Sequence, residues 1–115
     1  MEYRRLGETD LNLSVIGMGS FQFGGEWGKQ FTQSEINLMF DVASDLGINF
    51  VDTAECYGDH LAERFIGNAV QDNRKNWIIA TKFGHKFNSH LDRSDQWTPK
   101  KVAKQLDDSL KALKT

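Results

Sequence analysis

Asp52, Tyr57 and Lys82 are the residues of this sequence whose types and spacing could do chemistry together. Asp52 closes the run Ile48-Asn49-Phe50-Val51, which Gly47 opens, and Lys82 closes a second run, Trp77-Ile78-Ile79-Ala80-Thr81, followed by Phe83-Gly84. Short apolar runs rich in β-branched and aromatic residues read as buried strands that deliver their last residue into a loop. Tyr57 lies in the loop that follows Asp52. Two adjacent strand ends would therefore set Asp52, Tyr57 and Lys82 around one mouth. An isolated phenol titrates near ~10, and an ammonium beside it favours the phenolate, which draws its acidity toward neutral pH. A phenol held beside a lysine and that lysine's counter-ion is a proton donor. Taken singly, the three residues read as a turn aspartate, a half-buried aromatic and an exposed lysine; only their joint placement carries chemistry.

The elements that must position them alternate. Glu2 to Leu6 and Leu11 to Ile16 flank the turn composition Gly7-Glu8-Thr9-Asp10, which predicts an opening hairpin. Ser14-Val15-Ile16-Gly17-Met18-Gly19 is expected to continue as the first core strand, leading into the glycine-rich, aromatic loop Ser20-Phe21-Gln22-Phe23-Gly24-Gly25-Glu26-Trp27-Gly28. Thr32-Gln33-Ser34-Glu35 is a capping-box sequence, and Ile36, Met39, Phe40, Ala43 and Leu46 follow at helical spacing up to Gly47. A second helical stripe comprises Leu61, Phe65, Ile66, Ala69 and Val70, with Glu63, Arg64, Gln71 and Asp72 assigned to its other faces. A polar loop is expected over His85 to Gln96. Thr98-Pro99 then opens a third helix with Val102, Leu106, Leu110 and Leu113 on one face.

The strand ends Gly19, Asp52 and Lys82 recur about every 30 residues, the length of one strand-helix unit, so parallel strands with right-handed crossovers follow. Either an open doubly wound sheet or part of a β/α barrel fits that alternation. Gly17-Met18-Gly19-Ser20-Phe21-Gln22-Phe23-Gly24 displaces the third glycine of the dinucleotide fingerprint and does not match it. A complete barrel takes roughly 250 residues, so a chain of 115 is expected to supply only its first three units.

Composition sets the outer limits. With 39% hydrophobic residues there is enough for one domain with a real core, and a net charge of -2 from 14 basic and 16 acidic residues argues against a nucleic-acid or membrane surface as partner. The single cysteine, Cys56, cannot form an intramolecular disulfide and reads as a small packed thiol. The charged amino terminus does not resemble a signal peptide. A reduced, cytoplasmic compartment is the expectation. No metal site is predicted, and His85 reads as a loop residue near the mouth.

Several ordered blocks carry a resemblance. Tyr3-Arg4-Arg5-Leu6-Gly7, Ser14-Val15-Ile16-Gly17-Met18-Gly19-Ser20, Asp52-Thr53-Ala54-Glu55-Cys56-Tyr57-Gly58, Glu63-Arg64-Phe65-Ile66-Gly67 and Ala80-Thr81-Lys82 resemble the amino-terminal part of an aldo-keto reductase. The likeness covers essentially the whole chain. It implies an α/β fold in which a short hairpin precedes the first three β/α units of a (β/α)8 TIM barrel, left incomplete in this chain. The implied activity is reduction of aldehydes and ketones with a nicotinamide cofactor, NADP or else NAD.

Three members of the family's catalytic tetrad map onto Asp52, Tyr57 and Lys82, with Tyr57 as the acid, Lys82 supplying the field and Asp52 holding the lysine. The tetrad's histidine follows the fourth strand, whereas His60, His85 and His90 all precede it. Gly19, Ser20, Phe21 and Asp52 match cofactor contacts, and Phe21, Phe23, Trp27 and Tyr57 would wall the substrate pocket. Cut from a barrel, the three strands would leave unpaired edges and bared strand faces, so self-association is expected. The alternative reading is a non-catalytic fragment that acts as an assembly or regulatory module.

Overall fold

Helix α1 (Gln33–Asp45) begins where the sequence signals it. The Thr32 hydroxyl accepts the Glu35 N–H while the Glu35 carboxylate accepts the Thr32 N–H at 2.8 Å, which satisfies two of the free donors of the first turn reciprocally. Ile36, Phe40 and Ala43 then recur on one face and are buried. The computed structural model describes residues 1–115.

Three short strands precede this helix, and the first two pair with each other. β1 (Tyr3–Arg5) and β2 (Asn12–Ser14) form the expected antiparallel hairpin, with Tyr3 opposite Ser14. Asn49, immediately before the core strand that starts at Phe50, ties the hairpin down: its side chain accepts the Ser14 N–H at 2.8 Å and donates to the Asn12 carbonyl at 2.9 Å. The first core strand is shorter than expected. β3 is only Met18–Gly19, because the Ser14 hydroxyl donates to the Ile16 carbonyl at 2.7 Å and the chain bends there, leaving Val15 and Ile16 exposed.

The central sheet is parallel, in the order β3, β4 (Phe50–Asp52), β5 (Ile78–Ala80), with Gly19 opposite Asp52 and Asp52 opposite Ala80. Strand alternation turns Val51 into the core and leaves Phe50 and Asp52 on the opposite face. The second core strand runs to Asp52 as read, whereas β5 stops two residues short of Lys82. There Thr53 takes over, its N–H donating to the Ala80 carbonyl at 2.8 Å, and Thr81 and Lys82 leave the ladder.

α2 (Leu61–Ala69) and α3 (Pro99–Leu113) complete the layer over the sheet. Ile66 and Val51 are fully buried with Phe40, Val70 and Trp77 in one core. Each such side chain contributes about 1.5–3 kcal/mol by leaving water. Gly67 is where α2 meets α3: a Cβ there would stand 2.5 Å from the Ala112 carbonyl oxygen. The leucine stripe of α3 is divided. Leu113 is buried, but Gln105 and Ser109 form the rest of the packed face, and Leu106 remains 55% exposed.

Two further sequence readings need correcting. The stretch from His85 to Gln96 is an antiparallel hairpin, β6 (His85–Ser89) and β7 (Asp92–Asp95), with an irregularity between Phe87 and Ser89. Its strands carry no apolar alternation. It is held instead by tertiary bonds, Gln105 accepting the Gly84 N–H at 2.9 Å and donating to the His85 carbonyl at 2.8 Å. Glu63, assigned to an outer face of α2, is fully buried. Its carboxylate accepts from the Thr81 hydroxyl at 2.6 Å and pairs with His60 Nδ1, so a charge that would be costly alone is compensated on both oxygens.

Candidate active site

Asp52 is the last residue of β4, and its own backbone is held in place. Its carbonyl accepts the Ser20 N–H at 3.1 Å and the Ser20 hydroxyl at 2.9 Å. Lys82, in the chain that follows β5, donates to both carboxylate oxygens of Asp52 at 2.8 Å and to the Thr53 carbonyl at 2.7 Å. The ammonium lies 5.3 Å from the centroid of the Tyr57 ring. All three residues therefore converge at the carboxyl ends of adjacent parallel strands. Burial works against the charge of Lys82, but the bond to Asp52 and the neighbouring Tyr57 outweigh it, and its pKa lies above the ordinary lysine value.

Tyr57 is positioned by a loop that only glycines allow. Gly58 adopts φ +65, and a Cβ on it would stand 2.2 Å from the Gly24 carbonyl oxygen, so the Tyr57 loop and the loop after β3 touch backbone to backbone. That contact sets Phe21 edge-on to Tyr57, with ring centroids 5.2 Å apart, and Trp27 edge-on to Phe21 at 5.8 Å. Trp27 is 65% exposed, at the open rim.

Phe23 does not join this wall. It is 5% exposed and packs edge-on against Phe31 in the core, because the short helical turn over Phe21–Gly24 points Phe21 and Phe23 in different directions. Ser20 is also buried, its hydroxyl engaged by Asp52, so it acts as a brace for the strand end. Gly19 faces open space, with no atom within 4 Å of where a Cβ would stand. A flat ring could approach the backbone there, beside Asp52 and Phe21.

Around the loop lie charged residues that sequence reading missed. Glu26 is buried: it accepts the Leu91 N–H at 2.8 Å and the Gly58 N–H at 3.3 Å and pairs with Arg93. Burial alone would raise its pKa, but Arg93 and the two backbone donors outweigh that and hold it below the usual carboxylate value. A lone carboxylate inside a glycine and aromatic loop was the available signal; its partner, far along the chain, was not legible. Glu55 is buried too and accepts the His85 N–H at 3.0 Å. One ligand atom each from Glu55, Cys56 and His85 lies within 4.8 Å of the others, a set of metal-ligating types. Burial pushes the Cys56 thiol up despite the Arg93 guanidinium nearby. A cavity of about 170 Å³ is lined by Glu55, Cys56, His60, His85 and Gln105, but not by Asp52, Tyr57 or Lys82.

Parallel strand-helix units with an aspartate, a tyrosine and a lysine gathered at the strand ends have the form of the opening units of a β/α barrel, whose sites lie at the carboxyl ends of the strands. The family model described as Aldo/keto reductase family matches residues 15–115, and the chain belongs to that family. It is 35% identical to the uncharacterized oxidoreductase YqkF of Bacillus subtilis, over 100% of this chain and 36% of that protein. It is 34% identical to the L-galactose dehydrogenase of Arabidopsis thaliana, over 98% of this chain and 34% of that one. The holo form of aldo-keto reductase AKR11C1 from Bacillus halodurans superposes with a TM-score of 0.87 at 30% identity, over 100% of this chain and 37% of the reductase. The chain thus spans about a third of the length of the curated relatives it matches, and it corresponds to the first units of an incomplete (β/α)8 barrel. No helix is long and apolar enough to cross a membrane.

Proposed function

We propose that a complete barrel carrying this segment reduces small aldehydes and ketones to alcohols, with Tyr57 as the proton donor. The observation that carries this reading is the seat of Lys82. Its ammonium is fixed by Asp52 and the Thr53 carbonyl, with the Tyr57 ring 5.3 Å away. A fixed cation beside a phenol stabilises the phenolate left after proton transfer, so Tyr57 can protonate an alkoxide developing on the substrate. Asp52 neutralises and orients the lysine. Phe21 and Trp27 offer the substrate an aromatic wall, and family membership with the open backbone at Gly19 supports a nicotinamide cofactor. Bound there, that cofactor, NADPH with NADH as the alternative, supplies the hydride. The reaction belongs in the cytoplasm on this reading, supported by the single unpaired cysteine.

Tyr57→Phe in the complete barrel tests the proposal, because it removes the proton and keeps the ring. Carbonyl reduction should fall by about 100-fold or more while NADPH affinity changes little. Parent-like turnover of an aldehyde by this variant would remove Tyr57 from the acid's role.

A further inference from the structure

Each backbone bond of a residue is fixed when the peptide planes on either side of its Cα are fixed, and at Tyr57 both planes are tied to one ion pair. The preceding peptide presents the Cys56 carbonyl, which accepts from Arg93 Nη2 at 2.6 Å. The following peptide presents the Gly58 N–H, which donates to Glu26 Oε2 at 3.3 Å. Arg93 Nη2 and Glu26 Oε2 are themselves bonded to each other. The other Glu26 oxygen accepts the Leu91 N–H at 2.8 Å, so the pair also anchors the β6–β7 hairpin at its turn and at β7.

We propose that Glu26 and Arg93 are a positioning pair for Tyr57, through which the β6–β7 hairpin holds the acid against Lys82. This rests on the reading of Tyr57 as proton donor. The pair is costly to build: the Glu26 and Arg93 side chains are 4% and 16% exposed, and a buried ion pair is commonly no more stabilising than apolar residues of the same volume. Its bonds converge on the two peptides that set the backbone angles of Tyr57, and Phe21 restrains the ring from the side. An error of about 1 Å in a reacting group can lower a rate about 100-fold, so such bracing matters to turnover more than to stability. Both bonds leave one guanidinium nitrogen, Nη2, whose two N–H groups reach the carboxylate and the carbonyl together.

The test uses the complete barrel carrying this segment, with turnover counted per mole of folded, NADPH-binding enzyme. Arg93→Met and Glu26→Gln should lower kcat for an aromatic aldehyde about 10- to 100-fold with NADPH affinity unchanged, and Arg93→Lys should recover part of the loss. In a Tyr57→Phe background the same substitutions should change the residual rate by less than about twofold, since they act through Tyr57. The phenol-carbon NMR signal of Tyr57, assigned by its loss in Tyr57→Phe, should shift and broaden in Arg93→Met. Parent-like kcat and an unmoved Tyr57 signal in folded Arg93→Met, or losses additive with Tyr57→Phe, would overturn the inference. If Arg93→Met does not fold, Arg93→Lys carries the same comparison, and failure of both to fold would make the pair structural and overturn it too. Failure of the proton-donor reading is distinct, because it shows as parent-like turnover of Tyr57→Phe itself.

Discussion

Lys82 and Asp52 meet across two parallel strands so that one ammonium is 2.8 Å from both oxygens of one carboxylate. Both side chains are nearly half exposed, at 48% and 46%, so the pair contributes about 0–1 kcal/mol to stability. Its consequence is electrostatic orientation at the mouth. In the complete barrel, Lys82→Met should leave the urea midpoint almost unchanged while aldehyde reduction falls by about 100-fold or more. Asp52→Asn should fall between the two. A Lys82→Met enzyme that loses stability and keeps its rate would reverse this assignment.

Gly58→Ala should be strongly destabilising. Alanine would have to adopt φ +65 with its Cβ 2.2 Å from the backbone oxygen of Gly24, and a backbone atom cannot swing away as a side chain can. A cost of about 2–4 kcal/mol is expected, from left-handed strain plus overpacking. Gly19→Ala, where a Cβ meets nothing, serves as the control. Equal melting temperatures for the two variants would contradict the close approach of these loops.

The His60–Glu63 pair predicts a pH-dependent stability. The hydrogen bond to Glu63 raises the pKa of His60, burial opposes it, and the charges of Glu63, Asp59 and Asp108 add to the rise. Because the folded-state value lies above the unfolded one, the stabilisation is fully present below about pH 6.5 and is lost as pH rises through the folded-state pKa. His60→Gln should therefore lie below the parent in acid and approach it in alkali. Parallel stability curves over about pH 6 to 9 would exclude the pairing.

Expressed by itself, the 115-residue chain is expected to associate and to bind NADPH weakly. β3 and β5 each pair on one side only, and Ile16, Phe83 and Leu106 are each more than half exposed. Light-scattering mass with a fluorescence titration of NADPH checks both points. A monodisperse monomer that binds the cofactor tightly and reduces an aromatic aldehyde would show that three units suffice, whereas tight association without turnover would favour an assembly or regulatory role.

What the sequence determined by itself is local or periodic. The capping box at Thr32 and Glu35, Pro99 at the start of α3, and the apolar runs ending near Asp52 and Lys82 depend on neighbours within a turn or a strand. They were legible for that reason. The recurrence of those runs gave the parallel order, and the ordered blocks gave the family. The length of β3 was not legible, because one hydroxyl of Ser14 bends the chain before Gly17. The β6–β7 hairpin was hidden since Glu26 and Gln105, outside it, hold a strand pair that has no apolar pattern of its own. The burial of Glu63 escaped because helical spacing shows which residues share a face, whereas one of the two partners that make a buried carboxylate tolerable, the Thr81 hydroxyl, comes from another segment, and the other, His60, caps the same helix. Phe21 and Phe23 looked equivalent in sequence, and one helical turn sent them to the mouth and to the core. The gathering of Tyr57 and Lys82 at one mouth was legible from the recurring strand ends, whereas the backbone contact of Gly58 with Gly24 that seats the Tyr57 loop belongs to tertiary structure, since it joins loops that follow different strands.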